Sequence, residues 1–201
     1  MTLYDLPGGK QRWLFPIGIR GSGVIVFSND GQRFVASDAF SHDLHLFDSA
    51  SPTPISKLTG HSDVPSGACF SPDGRWLATL GGRKILVWDG RSGELRHQFL
   101  SHRVGGALCF SADSREFVTC SDFNQMTRYD LTTGKALSGY ETPAGYVSKL
   151  LESDDGKRIF MVREGAGSPN APTVGDITIL RRVPVKEGEQ PVSTWLESWM
   201  R

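Results

Sequence analysis

The sequence predicts an all-β protein built from repeated four-stranded antiparallel units, and three observations carry that prediction. First, "VIVFSNDGQRFVAS" (24–37), "GACFSPDGRWLATL" (67–80) and "ALCFSADSREFVTC" (107–120) share one plan. An apolar run ends in Phe-Ser, a turn follows at Asp-Gly or Asp-Ser, and a second apolar run returns. Asp-Gly between β-rich runs is a strong hairpin signal, because glycine takes positive φ without steric cost. Second, an aromatic-Asp pair closes a third run in "HLFD" (45–48), "LVWD" (86–89) and "TRYD" (127–130), with Phe47, Trp88 and Tyr129 spaced by 41 residues. Third, 23 Gly and 11 Pro in 201 residues supply turns at the density short strands need.

Taken in order, the chain opens on "LYDLPGGK" (3–10), which aligns with "VWDGRSGE" (87–94) and "RYDLTTGK" (128–135). That places Tyr4-Asp5 at the aromatic-Asp position, so residues 1–15 read as the third and fourth strands of a unit. Three full units follow at 16–58, 59–99 and 100–140, and a divergent fourth spans 141–196, leaving a tail at 197–201. The fourth contains "VSKLLESDDGKRIFMV" (147–162), "DITILRR" (176–182) and an expected outer strand "PVSTWL" (191–196). Its Phe-Ser pair reads as lost, and Leu180-Arg181 replaces the aromatic-Asp pair.

A period of 40–45 residues with four strands and a Trp-Asp ending is the signature of a propeller blade. The Gly-His of "LTGH" (58–61) stands before Trp88 as in such repeats, and residues 60–99 form the most specific match. The sequence thus resembles the WD-repeat β-propeller family over nearly all its length. The expected fold is a single propeller domain over 1–201, with about four blades plus an N-terminal half-blade, in a ring that is incomplete as counted. Three ways of completing it stay open: further blades of a larger propeller, self-association into a shared ring, or closure of a four-bladed ring by strands near 2–15 and 147–162.

Composition narrows the function classes. Lys plus Arg equals Asp plus Glu at 22 each, so no net field favours nucleic acid or an anionic membrane, and neither is expected as a partner. The first 30 residues lack an apolar signal core, and no run approaches ~18 apolar residues. Three cysteines are too few for a disulfide framework, and a cytoplasmic setting is expected.

No residue pattern predicts catalysis, metal binding or a cofactor. His42 and His45 of "HDLH" point to opposite faces if the stretch is strand. Cys69, Cys109 and Cys120 read as core thiols. The Asp residues recur at fixed turn positions, which argues for turn chemistry. The family resemblance implies a structural network in which a His before the first strand bonds a Ser or Thr on the second strand and an Asp links the two to the Trp; His61, Thr79 and Trp88 match it. "LGGRK" (80–84) has glycine where the family's turn Asp is expected, so the network reads as incomplete and packing is expected to carry the blade. His102 would occupy the corresponding place with Ser121 and Tyr129. Phe27, Phe70 and Phe110 read as structural core residues of the first strands.

The resemblance also implies that the loops leading into the blades and those between second and third strands share one face. It brings Arg20, Asp63, His102, Arg103 and Tyr146 there from the first set, and Phe40, Arg83 and Phe123 from the second. Arg, Tyr and Phe supply the hot-spot chemistry of interfaces. The expected function is therefore a non-catalytic scaffold that binds a protein or peptide through that face. The competing reading, an enzyme or small-molecule binder using the central channel, would need polar residues on first strands that read "VIVF", "GACF" and "ALCF". A Gly/Pro-rich excursion at 163–176 would project from the same face, and Trp199 and Met200 are candidates for covering a blade edge.

Overall fold

The computed structural model describes residues 1–5, 7–15, 23–37, 41–100, 107–121, 125–141, 146–164 and 176–181. They are all strand and turn, in two compact units, Met1–Leu100 and Ser101–Arg201.

The first unit holds three sheets whose strands pair antiparallel in chain order. β1 (Thr2–Asp5) and β2 (Lys10–Leu14) form a two-stranded sheet. β3 (Ile25–Phe27), β4 (Arg33–Ser37), β5 (Leu44–Asp48) and β6 (Pro54–Leu58) form the first four-stranded blade. β7 (Pro65–Phe70), β8 (Trp76–Gly81), β9 (Lys84–Asp89) and β10 (Leu95–Leu100) form the second. The second unit holds a third blade of β11 (Leu108–Phe110), β12 (Glu116–Ser121), β13 (Gln125–Asp130) and β14 (Ala136–Glu141). It also holds a sheet of β15 (Tyr146–Glu152), β16 (Arg158–Glu164) and β17 (Asp176–Arg181). The expected strand at 191–196, the interior of the 163–176 excursion and Trp199 lie outside the described residues.

Turn chemistry sets the repeat. Ser28, Ser71, Ser111 and Ser153 each donate a hydroxyl proton to the carboxylate two residues on, Asp30, Asp73, Asp113 and Asp155, at 2.6 Å. Each of those carboxylates accepts a backbone N–H from the returning chain, at Gln32, Arg75, Arg115 and Lys157. The residue after the Asp takes φ of +67° at Gly31 and Gly74, +66° at Gly156 and 59° at Ser114. Ser114 thus holds a backbone that favours glycine. The fourth hairpin therefore keeps its serine, contrary to the expectation that Phe-Ser is lost there; only the Phe has gone, replaced by Glu152. After the aromatic residues, Asp89 Oδ1 accepts from Arg91 and Ser92, and Asp130 Oδ1 accepts from Thr132 and Thr133. The Asp carboxylates of both turn sets serve backbone donors, as their fixed positions predict.

Between the first two blades, Val35, Leu44, Leu46 and Leu58 pack with Phe70, Leu77, Leu86 and Trp88 in one buried cluster. A smaller cluster joins Phe15 of the opening sheet to Phe34 and Phe47, with rings stacked or edge-on at 4.9–5.2 Å. Phe70 and Phe110 are 8% and 5% exposed, but Phe27 at the same repeat position is 44% exposed. Reading Phe27 as a core residue is corrected accordingly. Phe70 lies in a cluster with Val35 and Val26 of the preceding blade, whereas the sheet preceding Phe27 shows two strands among the described residues.

In the second unit, Cys109, Val118, Cys120 and Met126 pack with Val147, Leu150, Ile159 and Met161. Burial pushes the Cys109 and Cys120 thiols up to about 12, far from thiolate reactivity. Beside this apolar cluster lies a charged group. Arg128 of β13 donates from Nε to Glu116 Oε2 and approaches Glu152 Oε2 at 3.7 Å, with the Arg128 and Glu152 side chains 4% and 2% exposed. In the first unit the same repeat positions hold Leu46 and Phe70.

Candidate functional site

The candidate surface is built at one end of the second blade. The loop of residues 59–64 leads into β7, and the turn at Gly81–Arg83 joins β8 to β9. Their contact is close: a Cβ placed on Gly82 would lie 2.9 Å from Asp63 Cβ, and Gly82 holds φ +60°. Only glycine fits here both sterically and conformationally. Asp63, Val64 and Arg83 are exposed on this pair of loops. Asp63 Oδ1 accepts from the Val64 N–H at 2.8 Å, and Lys84 Nζ donates to the Gly60 carbonyl at 3.3 Å. Asp63 and Arg83 are the residues the sequence points to, and Val64 joins them as an apolar side chain in an otherwise polar loop.

Beneath the loops runs a buried polar relay. His61 Nε2 and Thr79 Oγ1 lie 2.7 Å apart, and the Trp88 indole Nε1–H donates to the same Thr79 oxygen at 2.8 Å. The relay fixes where the loop starts, because its first side chain is tied to the second and third strands of the blade. Gly81 is part of the same fit. A Cβ there would lie 2.8 Å from His61 Nδ1, so the imidazole occupies the room a side chain would take. The expected missing Asp is thus accounted for: glycine stands at 81 because the ring packs on it. The expectation of an incomplete network holds for the Asp alone, since the other three members are joined. Burial, with a smaller contribution from the nearby Lys84 charge, holds the His61 imidazole below its ordinary pKa and keeps the ring neutral. In the third blade, Thr119 rather than Ser121 takes the register of Thr79, facing Thr127 as Thr79 faces Leu86. Its hydroxyl donates to the Ala107 carbonyl at 3.2 Å.

The arrangement offers one carboxylate, one guanidinium and an exposed valine on a braced backbone. Such a set can form ion pairs, hydrogen bonds and apolar contact with a partner. His61 is turned inward on Thr79 and Trp88, away from these exposed groups.

Comparison with known proteins agrees with the repeat. Residues 52–89 match the family described as "WD domain, G-beta repeat". Residues 52–89 thus carry a WD repeat. Over 103 residues this WD-repeat chain is 36% identical to cilia- and flagella-associated protein 52 of Chlamydomonas reinhardtii, covering 47% of the chain and 17% of that protein. It is 30% identical over 123 residues to an uncharacterized WD repeat-containing protein of Synechocystis, covering 59% of the chain and 34% of the relative. It is 24% identical over 158 residues to the U3 small nucleolar RNA-associated protein 15 homolog of Xenopus tropicalis, covering 76% and 30%. The chain spans about a third or less of the length of these relatives.

Of the other predicted partner-binding residues of this WD-repeat chain, Arg20, Phe40, His102, Arg103 and Phe123 lie outside the described residues. Tyr146 is the first residue of β15. The structure therefore brings Asp63 and Arg83 together.

Proposed function

We propose that this WD-repeat chain is a non-catalytic scaffold that presents the loop end of its blades to a protein or peptide partner. The observation that carries the reading is the pairing of exposed Asp63, Val64 and Arg83 with a buried His61–Thr79–Trp88 relay that holds their loops in place. A preorganised loop surface keeps the ordering cost of binding low. The names of two of the relatives, one associated with cilia and flagella and one with a small nucleolar RNA, are in keeping with a role in assembly rather than catalysis. A cytoplasmic setting belongs to the same proposal and rests on the three free cysteines.

The test is affinity capture with the wild-type chain and with the double charge reversal Asp63→Lys/Arg83→Glu, paired with thermal melts. The expected result is loss of a defined set of captured proteins from the variant at unchanged melting temperature, because both side chains are exposed. Equal recovery by both chains would remove this surface as the binding site.

A further inference from the structure

We propose that Asp155–Gly156, in the β15–β16 turn, is a site of spontaneous backbone isomerisation to isoaspartate, and that the fold withholds the same chemistry from Asp73–Gly74 and Asp89–Gly90. The sequence holds four Asp-Gly pairs, at 30–31, 73–74, 89–90 and 155–156. At such a pair the Gly nitrogen can reach the Asp Cγ, because no side chain on the glycine shields it. The new N–Cγ bond closes a succinimide as one water leaves. One water then adds to the ring. Where it breaks the original peptide bond, the main chain is left running through Cβ and Cγ, with a free α-carboxylate. No other reactant enters, and the two waters balance.

Closure needs the Gly nitrogen and the Asp Cγ free to meet, and the closed turn ties both. Ser153 donates its hydroxyl proton to Asp155 Oδ1 at 2.6 Å, the Lys157 N–H donates to the same oxygen at 3.0 Å, and the Gly156 N–H donates to the Ser153 carbonyl at 2.8 Å. The reaction therefore proceeds from the opened turn, and the four pairs differ in what opposes opening. At 73–74 both Ser71 and Gly74 are buried. A Cβ on Gly90 would lie 2.5 Å from the Gly74 carbonyl oxygen, and the Gly90 N–H donates to the Arg75 carbonyl at 2.6 Å. The turns at 73–74 and 89–90 thus lock each other. At 30–31 Gly31 is open, but Ser28 is buried and Arg33 Nη2 stands 3.8 Å from Asp30 Oδ2. At 155–156 the bonds lie at the surface: Ser153 is only half-buried, and the bond from the Arg158 N–H to Ser153 Oγ, at 3.0 Å, is exposed. A cavity of about 310 Å³, walled by Asp113, Glu152 and Asp154, opens beside this turn and gives water access to the ring. The bonds from Ser153 and Lys157 also hold the Asp155 carboxyl below its ordinary pKa. An ionised carboxylate is a poor electrophile, so opening the turn lifts both restraints.

The test incubates the full chain at neutral pH in water enriched in heavy oxygen, folded and in urea. Isoaspartate is mapped by peptide mass spectrometry with electron-transfer fragmentation. In the folded chain it is expected first at Asp155, then at Asp30, and last at Asp73 and Asp89. In urea the four sites are expected to react at similar rates, which assigns the order to the fold. Ser153→Ala, checked by its melting curve, is expected to speed the reaction at Asp155 about fivefold, the factor that one lost hydrogen bond gives an opening equilibrium, and to leave Asp73 unchanged. Asp30, Asp73 or Asp89 matching or outpacing Asp155 in the folded chain would overturn the proposal. So would isoaspartate at Asp155 in urea alone, the folded-chain order persisting in urea, or an unchanged rate in folded Ser153→Ala. If that variant does not fold, the order in the wild-type chain decides alone.

Discussion

Replacing Arg128 by leucine should be far more damaging than replacing Arg128 and Glu152 together by leucine and phenylalanine. The two side chains are nearly inaccessible, and Arg128 Nη2 stands 3.7 Å from Glu152 Oε2. At that distance an effective dielectric constant of ~20 gives an attraction of about 4–5 kcal/mol, which offsets the desolvation of both ions. Arg128→Leu removes the guanidinium from the buried Glu152 carboxylate, and breaking a buried pair on one side costs about 3–5 kcal/mol. Glu116 is partly exposed and can return to water, so it adds little to that loss. Arg128→Leu/Glu152→Phe installs the residues found at the same repeat positions of the first two blades, Leu46 and Phe70, which share one buried cluster. Replacement of a buried ion pair by packed apolar groups is often neutral or stabilising. The double variant should therefore lie within about 1 kcal/mol of wild type or above it, with a coupling energy of at least ~2 kcal/mol across the cycle. Urea unfolding of the four proteins, followed by far-UV circular dichroism and intrinsic fluorescence, measures this. A loss below about 1 kcal/mol for Arg128→Leu, or a double variant as unstable as the sum of the singles, would refute the reasoning.

Two further predictions concern the first unit. Phe70→Ala and Trp88→Ala should each cost about 3–5 kcal/mol by opening buried cavities. Phe27→Ala should cost about 1 kcal/mol, since its ring is half in water; denaturant midpoints rank the three, and equal losses at Phe27 and Phe70 would contradict the exposure difference. The second prediction is a pH dependence. The folded chain holds His61 below its ordinary pKa of 6.5, so between the folded value and 6.5 the unfolded chain binds more protons. Its contribution is complete above about pH 6.5 and is lost as pH falls through the folded value. Melting temperature should decline below pH 6.5 in wild type, and His61→Gln should flatten that part of the profile; a profile unchanged by the substitution would show that another group titrates there.

The repeat was legible because its turns are written in residue types with fixed conformational demands. Ser-x-Asp marks the hairpin and an aromatic-Asp pair marks the next turn, so the strands of β3–β14 follow from their spacing. Asp63 and Arg83 were legible as loop residues, and the contact between their loops was not, because it depends on the absent side chains of Gly81 and Gly82. The Arg128–Glu152 pair escaped notice for a related reason. Nothing in the sequence around either residue singles it out, and only the packing of one sheet on the next brings the two together. Phe27 misled in the opposite sense: its repeat position is a buried one, and burial is decided by the neighbouring strand.

The Ser–Asp clasp in the four hairpin turns has a consequence for how the chain folds. Each clasp closes a loop of a few residues with its own hydrogen bonds, so it can form on the timescale of hairpin closure, about 1–10 μs, before any distant partner arrives. Neighbouring sheets then add to a structure that already exists. A chain organised this way has several equivalent starting points, as repeat proteins do, and weakening one clasp removes one of them while leaving the others to begin the process.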